Sequence, residues 1–357
     1  MKVLLALLMA SCAATSAPSL EHIVPEWTAL HTGSSASLRG ISVGKDGTIW
    51  AGGSDGTILR STNQGQAWEA VGPDDPDADY RDVEGLDRDR AFAIRITEPA
   101  QIIGTQDGGD SWQVLYESDR EESFFDSIAL FEGGGGVVFG DPQDGVFEVL
   151  RSDDGVVWNA VPADQLPQPK VGEAAFAASG TCVAALGDRV WIGTGGQAAR
   201  VIRSSNRGKT WKTVNTAIRQ NTGTAGIYSV AFRDNKHGIV IGGDYTQPRL
   251  GGMNAAITED GGKTWLPPEV FPQGYRSSVA PVPGLPRCWV AVGREGCDYS
   301  IDDGRQWLPT GTGLDDSRTE VTGYFALAFG SNGIGYAVGP EGRAARVELK
   351  ERLPGAR

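Results

Sequence analysis

The sequence predicts an all-β fold: a seven-bladed β-propeller of four-stranded blades, closed by a strand from the N-terminus. Three observations predict it. A Trp-centred motif occurs six times, short strand patterns bounded by glycine occur seven times, and each end of the chain carries part of one further blade. The 357 residues include 50 glycines and 10 tryptophans. So much glycine is typical of many short strands separated by turns, and the tryptophans supply apolar area for a core.

The six copies of the motif each end in Trp and recur every 42 to 54 residues. Each has Asp or Asn five residues before the Trp and Gly three residues before it, and five have Ser or Thr seven residues before it. The third copy has Arg151 at that position, with Ser152 one place later and Asp153 as its acidic residue. The copies cover residues 61–68, 105–112, 151–158, 204–211, 258–265 and 300–307.

This motif is interpreted as a hairpin turn rather than an active site. An Asp or Asn side chain can accept hydrogen bonds from the amides of its own turn, and Gly supplies a backbone angle that other residues resist. The Trp then begins the next strand and packs between neighbouring sheets. Because an active site does not need six copies of itself, we expect these acidic residues to stabilise the fold without contacting a ligand.

The strand patterns give the number of blades and their closure. The second strand of the unit occurs seven times, first at residues 48–53 and last at residues 334–339. The seventh unit ends with its third strand at residues 344–349, while residues 26–30 resemble the strand that follows the other motifs. We therefore expect residues 26–30 to pair with residues 344–349, which protects sheet edges that would otherwise be exposed.

The N-terminus is typical of an export signal. Lys2 precedes an apolar run at residues 3–10 and then small residues up to Ala17. Residues 9–12 resemble a lipobox with Cys12 as the lipidated residue, and ordinary cleavage after Ala14 or Ala17 is the alternative. The expected organisation is a signal at 1–17, a linker at 18–25, the propeller at 26–349 and a C-terminal tail at 350–357. The protein is expected to be periplasmic or on the outer surface, with membrane contact only through a lipid anchor.

Composition disfavours several classes of function. The formal net charge of −13 repels phosphate backbones, so no nucleic-acid partner is expected. The only histidines, at positions 22, 31 and 237, are far apart in sequence, and no cofactor motif is visible, so neither a metal nor a cofactor is expected. Cys182, Cys288 and Cys297 are expected to be unpaired and buried. The protein is expected to be a monomer.

The six turns match the Asp-box, or bacterial neuraminidase repeat, and the chain resembles the photosystem II stability/assembly factor-like family over residues 26–349. The resemblance implies the propeller fold and does not specify an activity. Sialidases carry the same boxes but have six blades and an early Arg-Ile-Pro motif, and the nearest string here, at residues 95–99, is not that motif.

The functional site is expected at one mouth of the central channel. The starts of the first strands and the loops from second to third strands share that face, whereas the Trp motifs lie on the opposite face. Three arginines there suit a carboxylate or another planar anion. The predicted ligand-binding residues are Arg39, Arg81, Asp82, Asp126, Asp141, Glu173, Asp244, Arg276 and Tyr324.

Two functions remain open at this point. The first is a binding or assembly module for an envelope protein, an anionic small molecule or a glycan. The alternative is a hydrolase or lyase acting on an acidic glycan, with Asp126 and Glu173 as the acid and the base or nucleophile, and Tyr324 assisting. The absence of a His relay in the sequence favours binding, and the concentration of Arg, Asp and Glu favours the enzyme. Arg276 is expected to contribute to anion binding and little to stability.

Overall fold

The computed structural model describes residues 23–310 and 323–351, and these residues form seven antiparallel β-sheets, the blades of a propeller. The predicted fold class is confirmed. Within the described residues, the only helices are short 3-10 turns such as Ala163–Gln165 and Pro340–Gly342. No helix in this part of the chain is long and apolar enough to cross a membrane.

The strands are numbered in chain order, and the blades follow the same order. Blade 1 is β2 (Leu38–Val43), β3 (Ile49–Gly53), β4 (Ile58–Ser61) and β5 (Glu69–Ala70); blade 2 is β6 (Tyr80–Gly85), β7 (Ala91–Arg95), β8 (Gln101–Thr105) and β9 (Gln113–Glu117); blade 3 is β10 (Phe125–Leu130), β11 (Gly136–Gln143), β12 (Val146–Ser152) and β13 (Asn159–Ala160). Blade 4 is β15 (Val183–Leu186), β16 (Arg189–Gly193), β18 (Arg200–Ser204) and β19 (Lys212–Asn215); blade 5 is β20 (Ala225–Phe232), β21 (Gly238–Asp244) and β22 (Ala255–Thr258), extended by β14 (Glu173–Ala174) and β17 (Gly195–Gly196); blade 6 is β23 (Ser278–Pro281), β24 (Trp289–Gly293), β25 (Gly296–Ser300) and β26 (Leu308–Pro309).

Blade 7 is closed by the N-terminal strand. It contains β27 (Ala326–Phe329), β28 (Gly335–Val338) and β29 (Arg343–Glu351), and β1 (Ile23–His31) forms its outer strand. Glu26 pairs with Glu348 and Leu30 with Ala344, which is the predicted closure. The paired region is longer than predicted, because β1 begins within the expected linker and β29 continues to residue 351. The predicted signal with Cys12 lies outside the described residues.

Each interface between neighbouring blades holds its own apolar cluster. Between blades 1 and 2, for example, Trp50 packs with Val83 and Ile103. Because every sheet is covered on both faces, the second strands are mostly buried, and β3 and β24 are buried along their whole length. This double burial explains why these strands have continuous apolar sequences instead of an alternating pattern. The three predicted free cysteines are buried in the same interfaces and unpaired.

Polar side chains on the innermost strands join neighbouring blades around the channel. In each case an oxygen from one blade accepts a hydrogen bond from a backbone amide of the next, which satisfies groups that would otherwise be buried without partners. The acceptor and donor pairs are Ser42 with Gly85 (2.7 Å), Asp82 with Ile128 (2.8 Å), Ser229 with Val279 (3.1 Å) and Ser278 with Leu327 (3.3 Å).

The Trp motifs form the predicted turns. In the second copy, the hydroxyl of Thr105 accepts from the amide of Gly109 at 2.9 Å, and Asp107 accepts from the amide of Ser111 at 2.9 Å. The fifth copy repeats this arrangement with Thr258 and Asp260. Gly109 has a φ of +93°, a conformation that side-chain-bearing residues rarely adopt. The motif therefore encodes a local hydrogen-bonded turn.

The hydrogen-bonding residues of the third motif lie one residue later than in the other copies, when all copies are counted back from Trp. Asp154, not Asp153, accepts the amides of Val156 and Val157 at 2.8 and 2.9 Å, and Ser152 accepts the amide of Gly155. Asp153 instead forms an ion pair with Arg151 at the surface. Ser152, which lies one place later than the hydroxyl residue of the other copies, indicated this shift, because the hydroxyl and carboxylate residues keep the same spacing.

This shift gives a direct test with two adjacent residues. We expect Asp154→Ala to lower the midpoint of thermal unfolding by a few degrees, because it removes the acceptor of two turn amides. Asp153→Ala should leave the midpoint unchanged, since an exposed ion pair contributes little. Circular dichroism melts of the two variants measure this difference. Equal destabilisation would contradict the assignment of Asp154, and not Asp153, as the turn acceptor.

Blade 4 begins later than the sequence indicates. The strand pattern predicts that its innermost strand begins near Glu173, but that strand is β15, which begins at Val183. Residues 173–174 form β14, which pairs with β17 at the edge of blade 5. Blade 5 also departs from four regular strands, because its outer position is a single bridge between Ile257 and Leu266. The long connection before β15 therefore adds a further short strand, β14, at the channel mouth.

Candidate functional site

A pocket of about 500 Å³ occupies one mouth of the central channel. Six blades contribute to it near the starts of their first strands or between their second and third strands, whereas residues 174–178 belong to the connection that precedes β15 of blade 4. Its lining residues are Arg39, Arg81, Phe124, Asp141, Ala174, Ala175, Phe176, Ala177, Ala178, Gly223, Tyr228, Tyr245, Tyr275, Arg294 and Phe325. Of the predicted ligand-binding residues, it therefore brings together Arg39, Arg81 and Asp141.

β-Bulges aim several of these side chains. The pairing register of the innermost strand shifts in four blades, and the residue skipped is Arg39 in blade 1, Arg81 in blade 2, Asp126 in blade 3 and Tyr228 in blade 5. A bulge bends the strand and redirects the side chain of its extra residue. Three of these four equivalent residues line the pocket, and the fourth lies close to the pocket-lining Asp141. Asp82 follows the bulge in blade 2, and its carboxylate instead accepts a hydrogen bond from the neighbouring blade.

Arginine side chains form the cationic side of the pocket. Arg39 lies over the ring of Phe325, with 4.4 Å between its guanidinium carbon and the ring centroid. Arg81 is paired with Asp79 at 2.9 Å, whereas neither Arg39 nor Arg294 has an ion-pair partner among the described residues. Burial, and then the charge of Arg81, lower the pKa of Arg39. This guanidinium is therefore held in a partly desolvated position beside a like charge.

Aromatic rings form another part of the pocket wall. Phe176 and Tyr228 stack with 4.1 Å between ring centroids, and Tyr275 meets Tyr228 edge to face at 4.7 Å. Tyr245 completes the group and is partly exposed. The hydroxyl of Tyr228 donates to the carbonyl of Thr224 at 2.7 Å, which fixes the ring. Such a wall offers a flat apolar surface next to the guanidinium groups.

Two carboxyl groups of blade 3 lie at or near the pocket. Asp141 lines the pocket and accepts the amide of Ala175 at 2.8 Å, and burial raises its pKa. Asp126 is fully buried, and neither of its oxygens has a hydrogen-bond partner of normal geometry among the described residues. Burial, followed by the charge of Asp141, raises the pKa of Asp126 well above its usual range, although the amide of Ala177 and Arg81 oppose this.

Glu173 is held away from the pocket. Arg200 donates to both of its carboxylate oxygens, at 2.8 and 2.5 Å, and Thr194 and the amide of Lys170 also donate to it. These bonds fix β14 against blade 4, so the carboxylate has a structural role. The sequence missed Arg200 because it lies in the third strand of a blade, where no channel residue is expected.

Arg276 is likewise a structural residue. Its guanidinium donates to Asp298 at 2.6 Å and to the carbonyl of Tyr275 at 2.8 Å. The side chains of Arg276 and Asp298 are 2% and 0% exposed, so the ion pair is excluded from water. Arg276 does not line the pocket, and the neighbouring Tyr275 does.

Asp244 and Tyr324 are not among the pocket-lining residues either. Asp244 accepts from the hydroxyl and the amide of Thr246 at 2.7 and 3.0 Å. Burial acts to raise the pKa of Asp244, but these hydrogen bonds outweigh it, and the pKa is lowered. Tyr324 stacks on Trp27 of the closing strand, with 5.6 Å between ring centroids. The proposed catalytic set of Asp126, Glu173 and Tyr324 is therefore not assembled on the wall of this pocket.

The most informative residue missed by the sequence analysis is Arg294. It lies in the loop between the second and third strands of blade 6, and the same rule selected Asp141, which the structure places near the end of β11 in blade 3. A second cavity, of about 420 Å³, is lined by Thr258, Asp260 and Thr264 of the fifth Trp motif. Their polar groups bond one another within the turn, so the channel mouth is the stronger candidate site.

Fold and pocket together define a seven-bladed β-propeller with a charged, aromatic-lined channel mouth. No protein-family profile and no curated protein matches the chain. Among solved structures, YCF48 bound to D1 peptide has a TM-score of 0.62 and 16% identity, covering 91% of this chain and 97% of that one. YCF48 from Cyanidioschyzon merolae has a TM-score of 0.61 and 16% identity, covering 90% and 99%. Virginiamycin B lyase from Staphylococcus aureus has a TM-score of 0.67 and 10% identity, covering 91% and 100%. At such identities the likeness shows the fold alone.

Proposed function

We propose that this protein is a binding or assembly module whose channel-mouth pocket takes a ligand with a carboxylate and an apolar or aromatic body. The observation that carries the proposal is the state of Arg39, which is half-buried, close to Arg81 and without an ion-pair partner among the described residues. Keeping a guanidinium partly desolvated beside a like charge is costly unless a ligand supplies the opposite charge. A planar guanidinium fits a carboxylate in a bidentate manner.

The second half of the site supports the same ligand. Phe176, Tyr228 and Tyr275 give the pocket an apolar wall beside its cationic groups, and pockets of about 300–1,000 Å³ with a few convergent polar groups are typical of small-molecule sites. A protein partner that inserts one carboxylate-bearing residue would satisfy the same chemistry. The presence of a peptide on YCF48, a propeller of similar fold, supports a protein partner in general.

The alternative of a glycan-active enzyme receives less support. Its acid and base would be Asp126 and Glu173, but Glu173 is fixed by Arg200 and is absent from the pocket wall. The similar fold of virginiamycin B lyase shows that a propeller of this kind can be a lyase, without indicating a substrate for this chain.

The site proposal is tested with 3-phenylpropanoate and its amide. We expect the carboxylate to bind in isothermal titration calorimetry, the amide to bind at least about tenfold more weakly, and Arg39→Gln to weaken the carboxylate by a similar factor. The melting temperature of Arg39→Gln should be unchanged or higher, because a desolvated charge beside Arg81 is removed.

The matched control is Arg305→Gln. Arg305 pairs with Glu259 beside the motif turns and does not line the channel-mouth pocket. The Arg305→Gln variant should bind the carboxylate as tightly as the wild type does. Equal affinity of carboxylate and amide, or equal loss in both variants, would contradict an anion site at Arg39.

The location and assembly proposed for the protein follow from the sequence. The N-terminal pattern supports an exported protein, periplasmic or on the outer surface, which is either anchored through Cys12 or cleaved at Ala14 or Ala17. The partner would then be an envelope protein, an anionic small molecule or an acidic glycan, and the propeller would act as a monomer. Mass spectrometry of the mature N-terminus distinguishes lipidation from simple cleavage.

A further inference from the structure

We infer that the ligand is an ampholyte, with its carboxylate at Arg39 and Arg294 and an ammonium group at Asp141, near the buried Asp126. This inference rests on the proposed function and names the ligand class for the same pocket. An α-amino acid, or a residue carrying both a free amine and a free carboxylate, has this chemistry.

Among the described residues, the carboxyl groups at this end of the pocket form no ion pair. Asp141 lines the pocket, and the described residues provide it with the amide of Ala175 but with no ion-pair partner. The nearby Arg81 is already paired with Asp79 at 2.9 Å. A ligand ammonium beside Asp141 would form a charge-assisted hydrogen bond, which is stronger than one between neutral groups.

Asp126 is a second carboxyl group near the same place, and a ligand cation nearby would stabilise its charged form. Its side chain is 0% exposed and lacks normal hydrogen-bond partners among the described residues, although buried polar groups are almost always satisfied. It occupies the bulge position whose equivalents in blades 1, 2 and 5 line the pocket. The groups that influence its charge are Asp141, Arg81 and the amide of Ala177, all from pocket-lining residues.

The two ends are close enough for one small molecule. Arg81 interacts electrostatically with both Arg39 and Asp126, so it lies near both ends of the pocket. Both ends belong to one pocket of about 500 Å³, and the aromatic wall of Phe176 and Tyr228 is available for the body of the ligand. Arginines alone would suit any anion, whereas this arrangement favours an anion that also carries a positive charge.

The test compares carboxylates with their α-amino counterparts by calorimetry: 3-phenylpropanoate with L-phenylalanine, and 4-methylpentanoate with L-leucine. We expect the α-amino member of at least one pair to bind about tenfold more tightly to the wild type. Asp141→Asn should abolish that preference and leave the plain carboxylate bound, because Asn retains an oxygen for the amide of Ala175. Asp126→Asn should reduce the preference.

The control is Asp144→Asn, an exposed carboxyl in the β11–β12 turn, which should keep the full preference. If no α-amino member binds more tightly than its partner, or if Asp141→Asn weakens both members equally, the ampholyte is excluded while the anion site of Arg39 stands. An unchanged preference in Asp126→Asn overturns the role given to Asp126. If no probe of either kind binds, both this inference and the proposed function fail.

Discussion

Deleting residues 23–31 is expected to make the protein insoluble or unfolded. All nine residues of β1 pair with β29, and Trp27 stacks on Tyr324 within the apolar cluster between blades 6 and 7. The deletion exposes the backbone edge of β29 and opens the ring, and unpaired edges promote aggregation. Soluble fraction, size-exclusion chromatography and a circular dichroism melt measure the result.

A rescue variant makes this prediction specific to closure. Ile23 pairs with Glu351, so residues 23–31 placed after residue 351 through a short turn can form a hairpin with β29 in the native register. This permuted chain should be soluble and should unfold cooperatively. A deletion variant with the solubility and melting temperature of the full chain would show that the ring does not depend on β1.

Arg276→Ala is expected to lower the free energy of unfolding by about 3–5 kcal/mol, because it leaves Asp298 buried and without its charge partner. Urea denaturation measures the loss. Burial raises the pKa of Asp298, and the charge of Arg276 opposes this rise. Removing the guanidinium therefore makes the charged carboxylate still less favourable. The sequence predicts little loss of stability because it places this guanidinium at the channel mouth. The buried ion pair instead predicts a large loss.

Two further variants separate the ion pair from other effects. Arg276→Ala combined with Asp298→Ala should recover part of the loss, since the uncompensated charge is also removed. Arg294→Ala, in the loop that follows β24 of the same blade, should change stability by no more than about 0.5 kcal/mol, because Arg294 is exposed and has no ion pair among the described residues. A loss in Arg294→Ala equal to that in Arg276→Ala would contradict this account.

The candidate site could be predicted only in part from the sequence. The rule that strand starts and second-to-third loops share a face correctly placed Arg39, Arg81 and Asp141 in one pocket. It could not show that Glu173 is held by Arg200, because the partner comes from the third strand of a blade and no local pattern links the two.

The number of blades and the closing strand were determined by the sequence alone. They depend on local features that repeat: a turn whose hydroxyl, carboxylate and glycine act within a few residues, and short apolar strands between glycines. Which charged side chains face the channel mouth was decided only by the tertiary structure. A bulge turns Arg81 towards the pocket while the adjacent Asp82 bonds to the next blade. Because side chains alternate along a strand, a shift of one residue exchanges a binding position for a structural one, and that register is set by contacts with neighbouring strands and blades.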